Sequence, residues 1–591
     1  MKERGWDYVD FVLVTGDAYV DHHSFGTAII PRLLEQYGYR VAILPQPDTK
    51  SKDDFMRFGK PRLGFLINSG VVDSMVNNYS VFKHRRRADE YSPGGKAGGR
   101  PDRALIVYAN RAREAFRDVP IIIGGLEASL RRFGHYDYWQ DKVRRSVLLD
   151  SKADLLIYGM GEKTIIEIAE ALESGIEVKD ITWIRGTSYR SSVEPDEGIR
   201  LGDYPVISEN SPSGKAEYAK SFRIQHENMD YIYGKVLYEK YDEKSFVVQN
   251  PMQEPLSEIE LDDIYRLPYE NRWHPMYDSI GGIPAFKEIK FSIVSNRGCF
   301  GDCSFCAITY HQGRQVRARS KDAIIEEVEN LIKDKEFKGY IHDVGGPSAN
   351  FRGPSCDKQL KRGVCPNRDC LYPNVCRNAK VDHEEYFDIL RTIRKMDKVK
   401  KVFIRSGIRY DYLLADKKCD RYMEELCKYH ISGTLKVAPE HISDRVLSYM
   451  KKPSKEQFIK FDRKYRETNR RLGLKQYLIP YLISSHPGSE LDDAIELALF
   501  LKEYGFIPDQ VQDFYPTPGT LATCMYYTEL DPRTMEKVYV AKSMEEKKMQ
   551  RALIHYNKAE NRPMVIKALQ KAKREELIPV LLGNRPQSRK N

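Results

Sequence analysis

The sequence predicts an α/β protein in two parts: a doubly wound parallel sheet over residues 1–184 and a partial (β/α)6 barrel over 286–530. Three observations predict it. Short β-branched apolar segments alternate with amphipathic helical stretches in the first part, which is the signature of a parallel sheet. The same rhythm returns six times after residue 286, as in an incomplete (β/α)8 barrel with its chemistry at the C-terminal strand ends. Between the two blocks, residues 185–285 are irregular and rich in Tyr, Pro and Asp, and read as a connecting region.

In the first part the strands are DFVLVTGD (10–17), YRVAILPQ (39–46), PRLGFLINS (61–69), VPIIIGGLE (119–127) and ADLLIYGMG (153–161). Helical patterns such as TAIIPRLLEQYG and EKTIIEIAEALESG lie between most of them. The segment 84–103 interrupts this pattern with Gly, Pro and basic residues. Gly94, Gly95, Gly98 and Gly99 with Arg85, Arg86, Arg87 and Arg100 predict a mobile, solvated basic loop. It lacks the strand–Gly-loop–Lys–helix context of a phosphate-binding loop.

In the second part the strands are EIKFSIVS (288–295), GYIHDVGG (339–346), VKKVFIRSG (399–407), GTLKVAPEH (433–441), KQYLIPYLISS (475–485) and DQVQDFYPT (509–517). SKDAIIEEVENLIKD, with Ser320 as N-cap, and ELDDAIELALFLKEYG are two of the intervening helices. A Cys-rich insertion, 351–382, follows the second strand, and 531–591 reads as a helical, basic C-terminal region.

The chain of 591 residues is 41% hydrophobic and 30% charged, with 39 Gly and 30 Pro. This excludes disordered, collagen-like and small disulfide-scaffold classes. The N-terminus has no apolar core of a secretory signal, and no run of about 18 apolar residues predicts a membrane span. A soluble, cytoplasmic protein is expected. Of the net charge of +10, residues 551–591 carry +7, so the charge is mostly a tail and reads as a solvated helical face with a frayed end.

Ten cysteines are clustered, which in a chain of this kind points to metal rather than disulfides. Cys299, Cys303 and Cys306, spaced Cys-x3-Cys-x2-Cys at the end of the first barrel strand, can hold three corners of a cubane and leave one iron open. Zinc usually takes four ligands in two close pairs and fits the triplet poorly. Gly298 and Gly301 let the backbone approach the sulfides, and Phe305 is placed to cover what the cluster binds.

This triplet on the first strand of a six-unit barrel resembles the radical S-adenosylmethionine (SAM) enzymes, over roughly 288–520. The phrases GDAYVDHHSFG, YSPGGKAGGRPD, VSNRGCFGDCSFCAIT, DVGGPSANFRG and KVAPEHIS are similar to one subgroup, the YgiQ-type radical SAM proteins, across nearly the whole chain. The resemblance implies a 4Fe–4S cluster whose open iron chelates the amino and carboxylate groups of SAM. One-electron reduction then gives methionine and a 5′-deoxyadenosyl radical, which takes hydrogen from a substrate. Carried over by motif, Gly345 and Gly346 bind the methionine moiety, while Ser406, Arg405 and Glu440 are candidates for ribose or carboxylate contacts. Pro347 stands where many relatives have Glu, so the usual amino-group contact must come from elsewhere.

Asp21-x-His23-x-x-Gly26, after the first strand, resembles the lower-ligand motif of cobalamin-binding domains, and GGLEAS (124–129) stands where those domains have a Gly-Gly turn. There His23 would ligate cobalt and Asp21 would fix its tautomer. Adjacent His22 competes for the part, and helix capping or contact with the barrel is the alternative role of Asp21 and His23.

Cys356, Cys365, Cys370 and Cys376, in the polar insertion, supply enough thiolates for a second site. Their intervals match neither a zinc ribbon nor a ferredoxin run; an auxiliary cluster, zinc and unligated thiols all stay open. Cys419, Cys427 and Cys524 read as buried hydrophobes.

The expected function is therefore a radical SAM iron–sulfur enzyme acting on an unknown substrate, with an electron donor such as flavodoxin or ferredoxin. An iron–sulfur electron-transfer or redox-sensing protein is the alternative. A zinc-bearing module that binds RNA through the basic tail is a third.

Overall fold

In the computed structural model, which describes residues 1–506, 508 and 511–583, the N-terminal part is organised by one nine-stranded sheet. Five strands, β1 (Phe11–Thr15), β2 (Val41–Pro45), β3 (Gly64–Asn68), β4 (Ile121–Ile123) and β5 (Leu155–Ile157), run parallel in the order 2-1-3-4-5. Helices α1 (Gly26–Gln36), α2 (Ala104–Ala115) and α3 (Glu162–Glu173) are among those that connect them. Strands covered on both faces need apolar residues throughout rather than alternation. β4 is three isoleucines, all buried, each worth about 1.5–3 kcal/mol relative to exposure.

The sheet does not stop at residue 184. β6 (Thr187–Ser191), β7 (Ile199–Asp203), β8 (Leu237–Asp242) and β9 (Ser245–Gln249) extend it in the order 5-6-9-8-7. β5 pairs antiparallel with β6, β6 with β9 and β9 with β8. The expected connector is thus largely part of the sheet. Its alternation of buried and half-buried residues, as in Leu237–Tyr241, marks strands with one wet face.

The loop 84–103 is pinned rather than free. Arg100 is fully buried; its Nη2 lies 2.6 Å from Asp17 and its Nη1 donates to the Ser69 carbonyl at 2.7 Å. Gly94 N also donates to the Gly282 carbonyl at 2.8 Å. Arg100 therefore belongs to the core, whereas Arg85, Arg86 and Arg87 are exposed.

The barrel strands are β10 (Ser292–Val294), β11 (Tyr340–Ile341), β12 (Asp343–Gly345), β13 (Lys401–Val402), β14 (Thr434–Glu440), β15 (Tyr477–Ser484) and β16 (Val511–Asp513). β11 and β12 are successive halves of the second predicted strand. All pairings are parallel: β10 with β12, β11 with β13, and β14 with β15 and then β16. Residues 509 and 510 of the sixth predicted strand lie outside the described residues. Helix α4 (Lys321–Leu331) is capped as expected, Ser320 Oγ accepting from Ala323 N at 3.1 Å.

The C-terminal region packs as a small helical layer. Helix α5 (Leu491–Tyr504) of the barrel buries Ala494, Ile495 and Ala498 against Met549, Leu553, Val565 and Leu569. The expected solvated helical face is in part packed and is ordered through residue 583, while the expected frayed end falls on the last eight residues, with three of the tail's basic groups, which lie outside the described residues. Among the described residues no helix is long and apolar enough to cross a membrane.

Candidate functional site

The Cys-bearing loop leaves β10 through Gly298, whose φ of +79° and position admit no side chain: a Cβ would stand 2.0 Å from the Gln315 carbonyl oxygen. Cys299, Cys303 and Cys306 follow, none in a disulfide and all half-buried. Burial pushes the Cys299 thiol up, and burial together with the two neighbouring thiols pushes Cys306 to about 12. Gly301 N donates to Cys299 Sγ at 3.4 Å, and a Cβ on Gly301 would lie 3.2 Å from that sulfur. At Gly301 bare backbone thus faces a thiol, whereas Gly298 is required by the close approach of Gln315.

Arg409, which sequence reasoning missed, completes this wall. It follows β13, is buried, and donates from Nη1 to Cys303 Sγ at 3.4 Å while Asp411 accepts from its Nε at 2.7 Å. Its Nη2 is buried with no partner. A guanidinium lodged against one thiol of the triplet, with a spare donor, suits a polynuclear anionic centre, whose charge an Arg offsets.

The loop is held from below by a buried charge network. Asp302, between the first two cysteines, pairs with Lys451 and lies 3.5 Å from Arg314 and 3.6 Å from His226. Burial alone would raise its pKa, but those three groups hold it well below the usual carboxylate range.

The Gly-Gly turn ends β12 opposite β10. A Cβ on Gly345 would meet Ser406 Oγ at 2.3 Å, and one on Gly346 would meet Asn296 Oδ1 at 2.4 Å. Both glycines are required by close approach. Asp343, also missed, organises the neighbouring strand end: its Oδ1 accepts from Arg405 N at 2.8 Å and Ser406 N at 3.1 Å, and its Oδ2 from the Ser406 hydroxyl. Burial raises the Asp343 pKa. Asn296 Nδ2 is buried without a partner beside Gly346.

The remaining predicted residues divide. Glu440 sits at a bulge closing β14 with φ +68°, its carboxyl raised by burial and 3.7 Å from Lys452. Phe305 faces the strand ends of the barrel, edge-on to His486 at 5.9 Å. Arg405 turns outward, half-exposed and 3.3 Å from Glu288, so only its backbone serves the site.

A cleft of about 580 Å³ runs between the barrel and the C-terminal ends of β1, β3, β4 and β5. One wall carries His23, Gly124, Gly125 and Gly161; the other carries Asn296, Arg297, His311, Gly346 and Pro347. Ser129 Oγ lies 2.8 Å from His311 Nδ1 and ties the GGLEAS turn to the helix after Cys306.

The expected pairing of Asp21 with His23 is not made. Asp21 is taken by Arg32 and by Glu270 N at 3.0 Å. Glu327 of α4 meets His23 Nε2 at 3.0 Å instead, leaving Nδ1 buried without a partner. Burial pushes the Glu327 pKa up, yet Arg319 and His23 together hold it at about 2.

Residues 1–292 match the family model described as radical SAM N-terminal, and 293–507 match that of the radical SAM superfamily. Residues 509–584 match a domain of unknown function (DUF3362). A UPF0313 protein of Clostridium botulinum (strain Okra / Type B1) is 55% identical over 588 residues, 99% of this chain and 90% of that one. A UPF0313 protein of Clostridium perfringens (strain SM101 / Type A) is also 55% identical, over 99% of this chain and 88% of that one. Among solved structures, the cobalamin-dependent S-adenosylmethionine radical enzyme OxsB with aqua-cobalamin bound is similar at a TM-score of 0.50 and 12% identity. The likeness covers 98% of this chain and 78% of OxsB, and it is one of fold.

Proposed function

Because this chain belongs to the UPF0313 family of radical SAM proteins, we propose that Cys299, Cys303 and Cys306 hold its 4Fe–4S cluster and that the barrel mouth beside them binds SAM. The protein is a radical SAM iron–sulfur enzyme. When bound, the cluster supplies the electron that cleaves SAM to methionine and a 5′-deoxyadenosyl radical. The observation that carries the site assignment is the Arg409 guanidinium, lodged against Cys303 with one donor unspent.

The protein's own residues do the positioning. Gly345 and Gly346 present bare backbone to the methionine moiety, with Asn296 Nδ2 as the donor beside them. Ser406, fixed by Asp343, and Glu440 border the ribose and carboxylate side. Phe305 closes the face toward His486. An electron donor of the flavodoxin or ferredoxin class would reduce the cluster.

The test is anaerobic reconstitution followed by dithionite and SAM. Release of 5′-deoxyadenosine is expected, and it should be lost in Cys299→Ala, Cys303→Ala and Cys306→Ala. None released from a loaded, reducible cluster would favour electron transfer or redox sensing instead. RNA binding that is salt-sensitive and lost on deleting 551–591 would support the tail as a nucleic-acid contact.

A second reading concerns the cleft, which we infer seats a corrinoid. It is large and glycine-lined, and OxsB, which shares the fold, is solved with aqua-cobalamin. His23 has one ring nitrogen held by a carboxylate and the other free of partners, the arrangement of an oriented metal ligand. Glu327 would then do what the sequence motif assigns to Asp21. Hydroxocobalamin should change its absorbance on binding, less so with His23→Ala. An unchanged spectrum removes this reading.

A further inference from the structure

The four remaining clustered cysteines lie against the loop just described. Cys356 opens a short helix, Asp357–Arg362, whose Gln359 donates from Nε2 to Cys370 Sγ at 3.5 Å. Ser355 Oγ is 3.0 Å from the same sulfur. Ser355 is the residue before Cys356, and Cys376 N donates back to the Cys370 carbonyl at 2.8 Å. All four cysteines are half-buried and free of disulfides.

This segment is bound to its surroundings through fixed charges. Arg314, 5% exposed, reaches the carbonyls of Cys365 and Arg368 at 3.4 Å each. It also lies 3.7 Å from Asp369, the residue before Cys370. Lys451 meets Asp369 at 2.7 Å, and Asp230 accepts from Val364 N at 2.9 Å. Cys370 and Cys299 pack against one apolar group that includes Phe300, Phe351 and Tyr412; Phe300 and Phe351 stack at 3.8 Å. A polar loop with little apolar area of its own does not order itself around four loose thiols without a staple.

We propose that Cys356, Cys365, Cys370 and Cys376 hold a second iron–sulfur cluster, beside the one on Cys299, Cys303 and Cys306. Four thiolates saturate a cubane, and Arg314 stands beside them as the compensating cation. Among the described residues no three side chains converge closely enough to grip a single ion. Each corner of a cubane takes its own sulfur, so a cluster does not require the ligands to meet at one ion.

The direct measurement is iron and acid-labile sulfide in the reconstituted full-length protein: about eight of each per chain are expected. About four would overturn the proposal and leave the first cluster standing. The triple variant Cys299→Ala/Cys303→Ala/Cys306→Ala should keep about four irons, with a 4Fe–4S Mössbauer or EPR signature that SAM does not perturb. Conversely, Cys365→Ser/Cys370→Ser should keep the SAM-perturbed signal and lose the other. Zinc recovered in place of iron in the triple variant would also overturn it. The wild-type stoichiometry decides even where a variant fails to fold.

Discussion

Arg409 donates from Nη1 to the sulfur of Cys303 across 3.4 Å, and Asp411 fixes the guanidinium from its other edge. A buried cation against a ligand sulfur stabilises the more negative, reduced cluster. Arg409→Gln should therefore move the midpoint potential to more negative values, by on the order of 60 mV, a tenfold change for one electron. An EPR-monitored redox titration reads this directly. Iron content should hold near the wild-type value, so an unchanged potential at full loading would detach Arg409 from the cluster.

Gly346 approaches Asn296 so closely that a Cβ would stand 2.4 Å from its Oδ1. Gly346→Ala must displace the amide or the strand end, at the place assigned to the methionine moiety of SAM. SAM affinity should fall at least about tenfold, a loss of about 1.4 kcal/mol, with cluster content retained. Equilibrium SAM binding to the reconstituted variant checks it; wild-type affinity would place SAM elsewhere.

Much of this was legible in the sequence because it is carried by local pattern. Ile121–Ile123 and Leu155–Ile157 announce buried parallel strands, and the spacing of Cys299, Cys303 and Cys306 singles out the loop proposed to hold the cluster. What stayed hidden depends on contacts between segments far apart in the chain. Arg409 is one Arg among many until β13 brings it against a loop 106 residues earlier. Glu327 reaches His23 across 304 residues, and no spacing rule could prefer it to nearby Asp21. The strands after residue 184 alternate weakly because they lie toward the sheet's edge, and so they read as irregular.

Glu239 of β8 is fully buried, and burial raises its carboxyl to about 7, against the hydrogen bonds from the Tyr241 hydroxyl and Gly134 N. Its Oε1 has no partner. A carboxyl raised on folding contributes stability that is fully present below its unfolded pKa, near 4.5, and is lost as pH rises through about 7. The Tm should accordingly fall between pH 5 and 8, and Glu239→Gln should flatten that slope. The effect is on the order of 3 kcal/mol at the alkaline end. Parallel thermal profiles for wild type and variant would reject a neutral Glu239.

Asp302 is where the two cysteine loops meet: it pairs with Lys451, which also holds Asp369 at 2.7 Å, and it faces Arg314, which reaches the Cys365 carbonyl. Asp302, Lys451 and Arg314 are all buried, so removing the central charge leaves two cations with Asp369 alone. Breaking a buried network of this kind costs roughly 3–5 kcal/mol. Asp302→Asn should lower the Tm and, because residue 302 lies between Cys299 and Cys303, reduce iron on reconstitution as well. A variant as stable and as iron-loaded as the wild type would show that the network is spectator charge. A variant that loses stability but keeps its full iron would confine the network to holding the loops together.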